Sequence, residues 1–282
     1  MNTHTSEPHY DVLLCPACSN PLHFNAAGIR TCCSRTGGSL IKDGFVVYDP
    51  ALSANPTSEM ARRDAQAHGY LRHSKFPTQI SRISRFIQKQ NPPGLVLDLG
   101  CGPGPTTKIL LEAGFDCVAV DFSAKSLAIN KQTCDQIAGN AVFVQADLTK
   151  LQFARESVSG LMMADFLQHL SSAQAREKIL ANAFAALKPG GWFFLSFFNV
   201  NIVNWLKGDI HGSFADGTIR YTRLPTQEVK KMLPGDIVIR SSVPMNIFAG
   251  AQLDRLCAVL PFAGRLSRMT VFTGFKRSLP VT

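Results

Sequence analysis

The chain has 282 residues, 45% of them hydrophobic, which is enough for one large buried core plus a small appendage. Its 29 Lys and Arg against 20 Asp and Glu give a formal charge of +9, but outside the C-terminal tail the only adjacent basic pairs are Arg62-Arg63 and Lys230-Lys231, a weak argument for nucleic acid. Met1 to Pro8 has no signal-peptide pattern and Trp192 to Val200 is too short to span a membrane, so the expected setting is cytoplasmic, without membrane, and the eight cysteines read as reduced thiols or a metal site.

In chain order, the first feature is Leu13-Leu14-Cys15-Pro16-Ala17-Cys18, followed by Cys32-Cys33 and then by an apolar strand after a D-G turn, Asp43-Gly44-Phe45-Val46-Val47. The pattern resembles a zinc ribbon, in which two C-x-x-C pairs hold the metal. Counted back from Asp43-Gly44, Cys32 takes the third ligand position and Arg35 stands where a fourth cysteine is expected. Cys33 and His23 are the alternatives, although neighbouring residues of a ribbon point to different sides. The expected metal set is Cys15, Cys18, Cys32 and Cys33, with zinc as the ion. The other reading is a metal-free remnant held by its apolar strand. This leader spans residues 1–50.

Residues 51–93 form a helical linker or lid. Breaks fall at Asp49-Pro50, Asn55-Pro56 and Asn91-Pro92-Pro93. Ser58 to Tyr70 carries good helix formers, and Thr78 to Lys89 places Ile80, Ile83, Phe86 and Ile87 on one face, the pattern of an amphipathic helix that packs on a sheet.

Next, Val96-Leu97-Asp98-Leu99-Gly100-Cys101-Gly102-Pro103-Gly104 runs from an apolar strand into three glycines, and Pro105 opens a helix closed by Gly114. A strand, a glycine turn and a helix N-terminus bring bare backbone amides against a ligand. The spacing is neither G-x-G-x-x-G nor a phosphate loop. Further on come Cys117-Val118-Ala119-Val120-Asp121, Val142 to Leu148, Val158 to His169, and Leu187-Lys188-Pro189-Gly190-Gly191 leading into another strand. This ordered set, over about residues 94 to 200, resembles the class I S-adenosylmethionine (SAM) methyltransferases. Zinc-ribbon leaders occur on some of them, including bacterial large-subunit ribosomal-RNA guanine methyltransferases.

The resemblance implies an α/β fold: a doubly wound, seven-stranded, mostly parallel Rossmann-like sheet over residues 94–282, with a small N-terminal β ribbon. It also implies SAM as cofactor. The cofactor set carried over is Asp98, Gly100, Gly102, Gly104, Asp121, Phe122, Asp147, Leu148 and Ala164. Asp121 is expected at the ribose hydroxyls and Asp147 at the adenine amine. Against Asp147 stands the reading in which its neighbour Thr149 caps a short turn, and for Asp98 the alternative is structural support of the loop. Catalytic candidates are Asp165, His169 and Tyr70, with Gln168, Asn199, Arg63, His73 and Tyr221 as further cleft candidates. A histidine in the helix leading away from the strand is the plainer reading of His169.

After the fifth core strand, Asn199 to Tyr221 is rich in Asn, Gly and Asp, with Trp205 and Phe214 as isolated large apolar groups. Thr226 to Leu233 reads as a short helix, Asp236 to Ser241 as core strand six, and Met269 to Phe275 as core strand seven, antiparallel between five and six in this family. The [DN]-P-P-[YF] box of enzymes that methylate base amines is absent at the strand-four end. The leading functional reading is methyl transfer to a small molecule of biosynthesis or secondary metabolism. The alternatives are a ribosomal- or transfer-RNA methyltransferase and a SAM-consuming cyclase that releases methylthioadenosine. The oligomeric state is not legible.

Overall fold

The computed structural model describes residues 9–33, 39–49, 57–68, 76–91, 94–214, 217–245 and 263–278. Its centre is a run of parallel strands: β3 (Leu95–Leu99), β4 (Asp116–Asp121), β5 (Ala141–Gln145), β6 (Val158–Ala164) and β7 (Leu187–Phe198). Two more, β10 (Ile237–Met245) and β11 (Met269–Lys276), complete the order β5-β4-β3-β6-β7-β11-β10. β11 lies antiparallel between β7 and β10, as the family pattern implied.

Both faces of this sheet are apolar, which is why the strands read as continuous hydrophobic runs rather than alternating ones. Leu97, Leu99, Val118 and Val120 belong to the core on one side, and Val96, Cys117 and Ala119 to the core on the other. Helices cover both. Those that follow the strands are α3 (Pro105–Glu112), α4 (Ala124–Cys134) and α5 (Ala173–Ala186). Ahead of β3, α1 (Ser58–Gln66) is capped by Thr57, and α2 (Phe76–Ile87) is the expected amphipathic helix. Its Ile83 and Ile87 are buried, and Phe86 meets Trp192 and Phe194 at 5.5 Å.

The leader does not stand apart from this sheet as a small ribbon of its own. β1 (Leu40–Lys42) and β2 (Phe45–Val47) form a hairpin through Asp43 and Gly44, both at positive φ, as a two-residue turn of the favoured twist requires. β2 then pairs in parallel with β5, so the hairpin lengthens the sheet to nine strands. Val12, Leu13, Cys15 and Leu22 share the core of the sheet, and the Tyr48 hydroxyl donates to the Leu14 carbonyl at 2.7 Å.

The Asn-, Gly- and Asp-rich stretch after β7 contains a short helix, α6 (Ile202–Leu206), and a hairpin of β8 (His211–Phe214) and β9 (Ile219–Thr222). Helices α7 (Thr226–Met232) and α8 (Ala263–Leu266) flank β10. No helix among the described residues is long and apolar enough to cross a membrane.

Candidate active site

At the carboxyl ends of β3 to β7, where an open parallel sheet reverses its winding and binds ligands, lies a cleft of about 1490 Å³. One end is the glycine turn. The φ of Gly104 is +93°, it caps α3, and a Cβ there would lie 2.0 Å from Asn130 Oδ1, so only glycine lets α4 pack under the loop. Gly102 (φ +54°) faces open space in the cleft, a cradle that a side chain would fill. Beneath the loop, fully buried Asp98 accepts from Thr107 Oγ1 at 2.8 Å, and Asn130 Nδ2 donates to the same hydroxyl at 2.9 Å. Burial pushes the Asp98 carboxyl up to about 7, with the charge of Asp121 acting the same way and the Thr107 bond opposing.

Asp121 ends β4 at 8% exposure and accepts from the backbone N–H groups of Gly102 (3.0 Å) and Ser123 (2.9 Å). Burial raises its pKa, against those two bonds and the charge of Arg63. Phe122, Ala146, Asp147, Leu148 and Ala164 continue the wall. Asp147 Oδ1 accepts from both the N–H and the hydroxyl of Thr149, so in this turn the carboxylate of Asp147 is the capping acceptor and Thr149 the donor. Over this end lies α1, whose Asp64 accepts from the Ser123 hydroxyl and from the Lys125 N–H.

The other end is made of side chains. Asp165, just past β6, has a φ of +58°, unusual for a residue other than glycine, and its N–H reaches Ser196 Oγ at 3.1 Å. Its carboxylate accepts from Ser196 Oγ and from Gln79 Nε2 of α2. Burial raises the Asp165 pKa despite both donors. His169 sits in the 3-10 turn Leu167–His169 with Nδ1 2.9 Å from the Arg220 carbonyl. That carbonyl can only accept, so Nδ1 carries the proton and Nε2 is left as an acceptor. Burial, then the charge of Arg63, pushes His169 down to about 4, with the carbonyl opposing. Gln168 donates Nε2 to the Asp165 carbonyl, while its Oε1 is buried beside the cleft without a partner. An aromatic wall completes the chamber: Tyr221 lies 4.6 Å from Phe214 and 5.3 Å from Phe198 between ring centres. Arg223 donates to the Tyr221 hydroxyl at 3.1 Å and pairs with Asp209 at 2.8 Å.

Residues 96–191 match the family described as a methyltransferase domain. This stretch is a methyltransferase domain by that match. One relative, the ubiquinone biosynthesis O-methyltransferase of Idiomarina loihiensis, is 31% identical over 40% of this chain and 46% of its own length. The demethylmenaquinone methyltransferase of Renibacterium salmoninarum is 32% identical over 34% of this chain and 38% of its own. The chain thus matches less than half the length of these relatives. Among solved structures, the 1,6-didemethyltoxoflavin-N1-methyltransferase of Burkholderia thailandensis shares the fold with a TM-score of 0.56 at 18% identity, covering 91% of this chain and 99% of that one. The N-methyltransferase NodS of Bradyrhizobium japonicum, in complex with S-adenosylhomocysteine, gives 0.58 at 10% identity, covering 79% and 100%.

Within the methyltransferase domain and its surroundings, the candidates separate. Gly100, Gly102, Asp121, Phe122, Asp147, Leu148, Ala164, Asp165 and His169 all face one cleft. Asp98 and Gly104 do not line it and shape the loop from below. Asn199 is a correction: its amide donates to the Gly264 and Ser267 carbonyls and its Oδ1 accepts from Thr226, so it anchors the α8 segment instead of facing the cleft. Tyr70 and His73 lie outside the described residues. Gln79, Ser196, Asp64 and Arg223 went unnoticed in the sequence, where nothing marks them beyond their polarity.

In the leader, the sulfurs of Cys15, Cys18, Cys32 and Cys33 all lie within 4.8 Å of one another, and Cys18 and Cys32 are 3.9 Å apart. Tetrahedral zinc with Zn–S bonds of about 2.3 Å needs sulfurs about 3.8 Å apart, so the donor set fits. Adjacent Cys32 and Cys33 both reach the cluster, contrary to the alternation expected of a ribbon strand, because neither lies in a regular strand. His23 is not part of this cluster, and Arg35 lies outside the described residues.

Proposed function

We propose that this chain transfers the methyl group of SAM to a small-molecule acceptor held between Asp165, His169 and the Phe198–Phe214–Tyr221 wall. The observation that carries this reading is the single cleft, which runs from the glycine loop and Asp121 to these residues without a break. SAM supplies a methyl group already activated on a sulfonium.

The chain's residues bind, orient and move a proton. Asp121 takes the ribose hydroxyls, Asp147 the adenine amine through its second oxygen, and the Gly100–Gly102 turn lets the ligand approach the backbone. α1 and α2, within the 51–93 lid, close the cleft over them. Asp165, whose proton affinity burial raises, accepts a proton from the attacking hydroxyl or amine, held in place by Ser196 and Gln79. His169 stays neutral near pH 7 and offers Nε2 to orient that group. Gln168 Oε1, an acceptor without a donor, takes a further hydrogen bond from the bound molecules. Excluding water and aligning the nucleophile then supply most of the acceleration.

The test is to incubate purified protein with SAM and candidate phenols, amines and carboxylates. The product to be read is S-adenosylhomocysteine, and methylthioadenosine in its place would mean the cyclase class instead. The Cys15, Cys18, Cys32 and Cys33 set further supports a structural zinc, about one per chain by elemental analysis. That cluster is also the observation that favours an RNA acceptor as the second reading. An RNA affinity that falls steeply with salt, together with methylated RNA as product, would establish it over the small molecule.

A further inference from the structure

The outer face of α6 is apolar and open. Trp205 is 63% exposed and Leu206 71%, with Ile202 and Val203 exposed beside them. α6 touches α8, which adds exposed Leu266, and the β8–β9 hairpin contributes exposed Phe214. Single exposed apolar residues are ordinary, but large ones gathered from three elements mark a contact surface. Val203, Phe214 and Leu266 also line the cleft, so this patch is the lip of the acceptor chamber.

Among the described residues, the charge around the lip is mainly basic. Lys207 follows α6, Arg265 lies in α8, and Arg268 is exposed at the cleft side. Among the described residues of α6, α8, the β8–β9 hairpin and the link from α6 to β8, Asp209 is the sole acidic side chain, and it pairs with Arg223. A second copy of the chain seated on this lip would bring Lys207, Arg265 and Arg268 against their own counterparts, a like-charge contact that opposes self-association. A surface that is apolar below and anionic at its boundary matches both properties, and Trp is the residue most at home there.

We infer that this lip is a docking surface for an anionic phospholipid membrane. Trp205, Leu206 and Ile202 insert at the headgroup boundary, and Lys207, Arg265 and Arg268 pair with the lipid phosphates. Resting on the small-molecule reading above, the acceptor is then an amphiphile that enters the cleft from the bilayer side past Phe214 and Leu266.

The protein reports on this itself, because its two tryptophans differ: Trp192 is buried at 9% exposure and Trp205 is not. The full chain is titrated with phosphatidylcholine vesicles with and without phosphatidylglycerol, reading sedimentation and tryptophan emission. Binding and a blue shift are expected with phosphatidylglycerol, roughly tenfold or more weaker without it. Leu206→Ser is expected to weaken vesicle binding about tenfold, and Lys207→Glu with Arg265→Glu to flatten its salt dependence. All of these variants should bind S-adenosylhomocysteine like the parent in calorimetry, so a failure of docking is distinguishable from a failure of the methyltransferase reading. Three results would overturn the inference. They are absence of binding to phosphatidylglycerol vesicles, a parent dimer that Leu206→Ser dissolves, and a Trp205 already shielded from acrylamide without vesicles, which would mean that the chain covers the lip itself.

Discussion

At the glycine end of the cleft the chain presents backbone; at the far end it presents side chains collected from distant elements. Gly102 and Ser123, from the turns that follow the neighbouring strands β3 and β4, turn their N–H groups to Asp121. Asp165, by contrast, depends on Gln79, 86 residues earlier, and on Ser196, 31 residues later. The aromatic wall adds Tyr221 and Phe214 from a hairpin beyond the parallel strands. The first kind of site suits a ligand that never changes, since backbone geometry survives most substitutions. The second can be rebuilt one side chain at a time, which suits an acceptor that differs from enzyme to enzyme.

The sharpest way to break this division is Asp165→Asn. Loss of a positioned base should lower the rate of methyl transfer by about 10²- to 10⁴-fold while leaving the affinity for S-adenosylhomocysteine within about threefold. If cofactor binding collapsed as well, the two ends would not be separable. Asp121→Ala probes the other end, and calorimetry should show cofactor affinity weakened roughly tenfold to a hundredfold. Because Asp121 also holds the Gly102 and Ser123 N–H groups, thermal unfolding should fall by several degrees, about 2–4 °C per kcal/mol lost.

His169 sharpens the comparison through pH. Burial and the charge of Arg63 hold it down to about 4, so between pH 6.5 and 4 the unfolded chain takes up a proton that the folded chain refuses. Stability is therefore lost as acid is added through that window, by up to about 3 kcal/mol. Denaturant titrations of the parent and His169→Gln should converge near pH 7 and separate below 6, with the variant less acid-sensitive. Asp98, raised to about 7, acts in the opposite sense, but both proteins carry it and it cancels in the difference. The smallest effect is expected of Tyr221→Phe. Losing the Arg223 hydrogen bond should raise KM for the acceptor no more than about fivefold and leave cofactor affinity unchanged.

The legibility of the sequence follows the same division. The glycine turn, Asp121 and the strand-ending Asp147 and Asp165 could be read because a parallel strand, a turn and a helix leave a local pattern of apolar runs and glycines. The sheet order could be read because that local pattern resembles a known family. Gln79 could not, since on the amphipathic pattern of α2 it is one more polar residue. Asn199 misled because a polar residue at a strand end looks the same whether it faces a ligand or anchors a loop. The positive φ of Asp165 leaves no sequence mark at all, and α6 with the β8–β9 hairpin is too short for periodicity to show.

The leader hairpin has one more consequence, for the solubility of the chain. Without β2, β5 would end the sheet with the backbone of a strand whose Val142, Phe143 and Val144 are apolar, an open ladder onto which another chain can add. The hairpin closes it, and its own outer strand, β1, is three residues long and ends in Lys42, a poor template for further growth. A chain trimmed to begin at residue 94 should therefore aggregate through β5 even with its cofactor site intact.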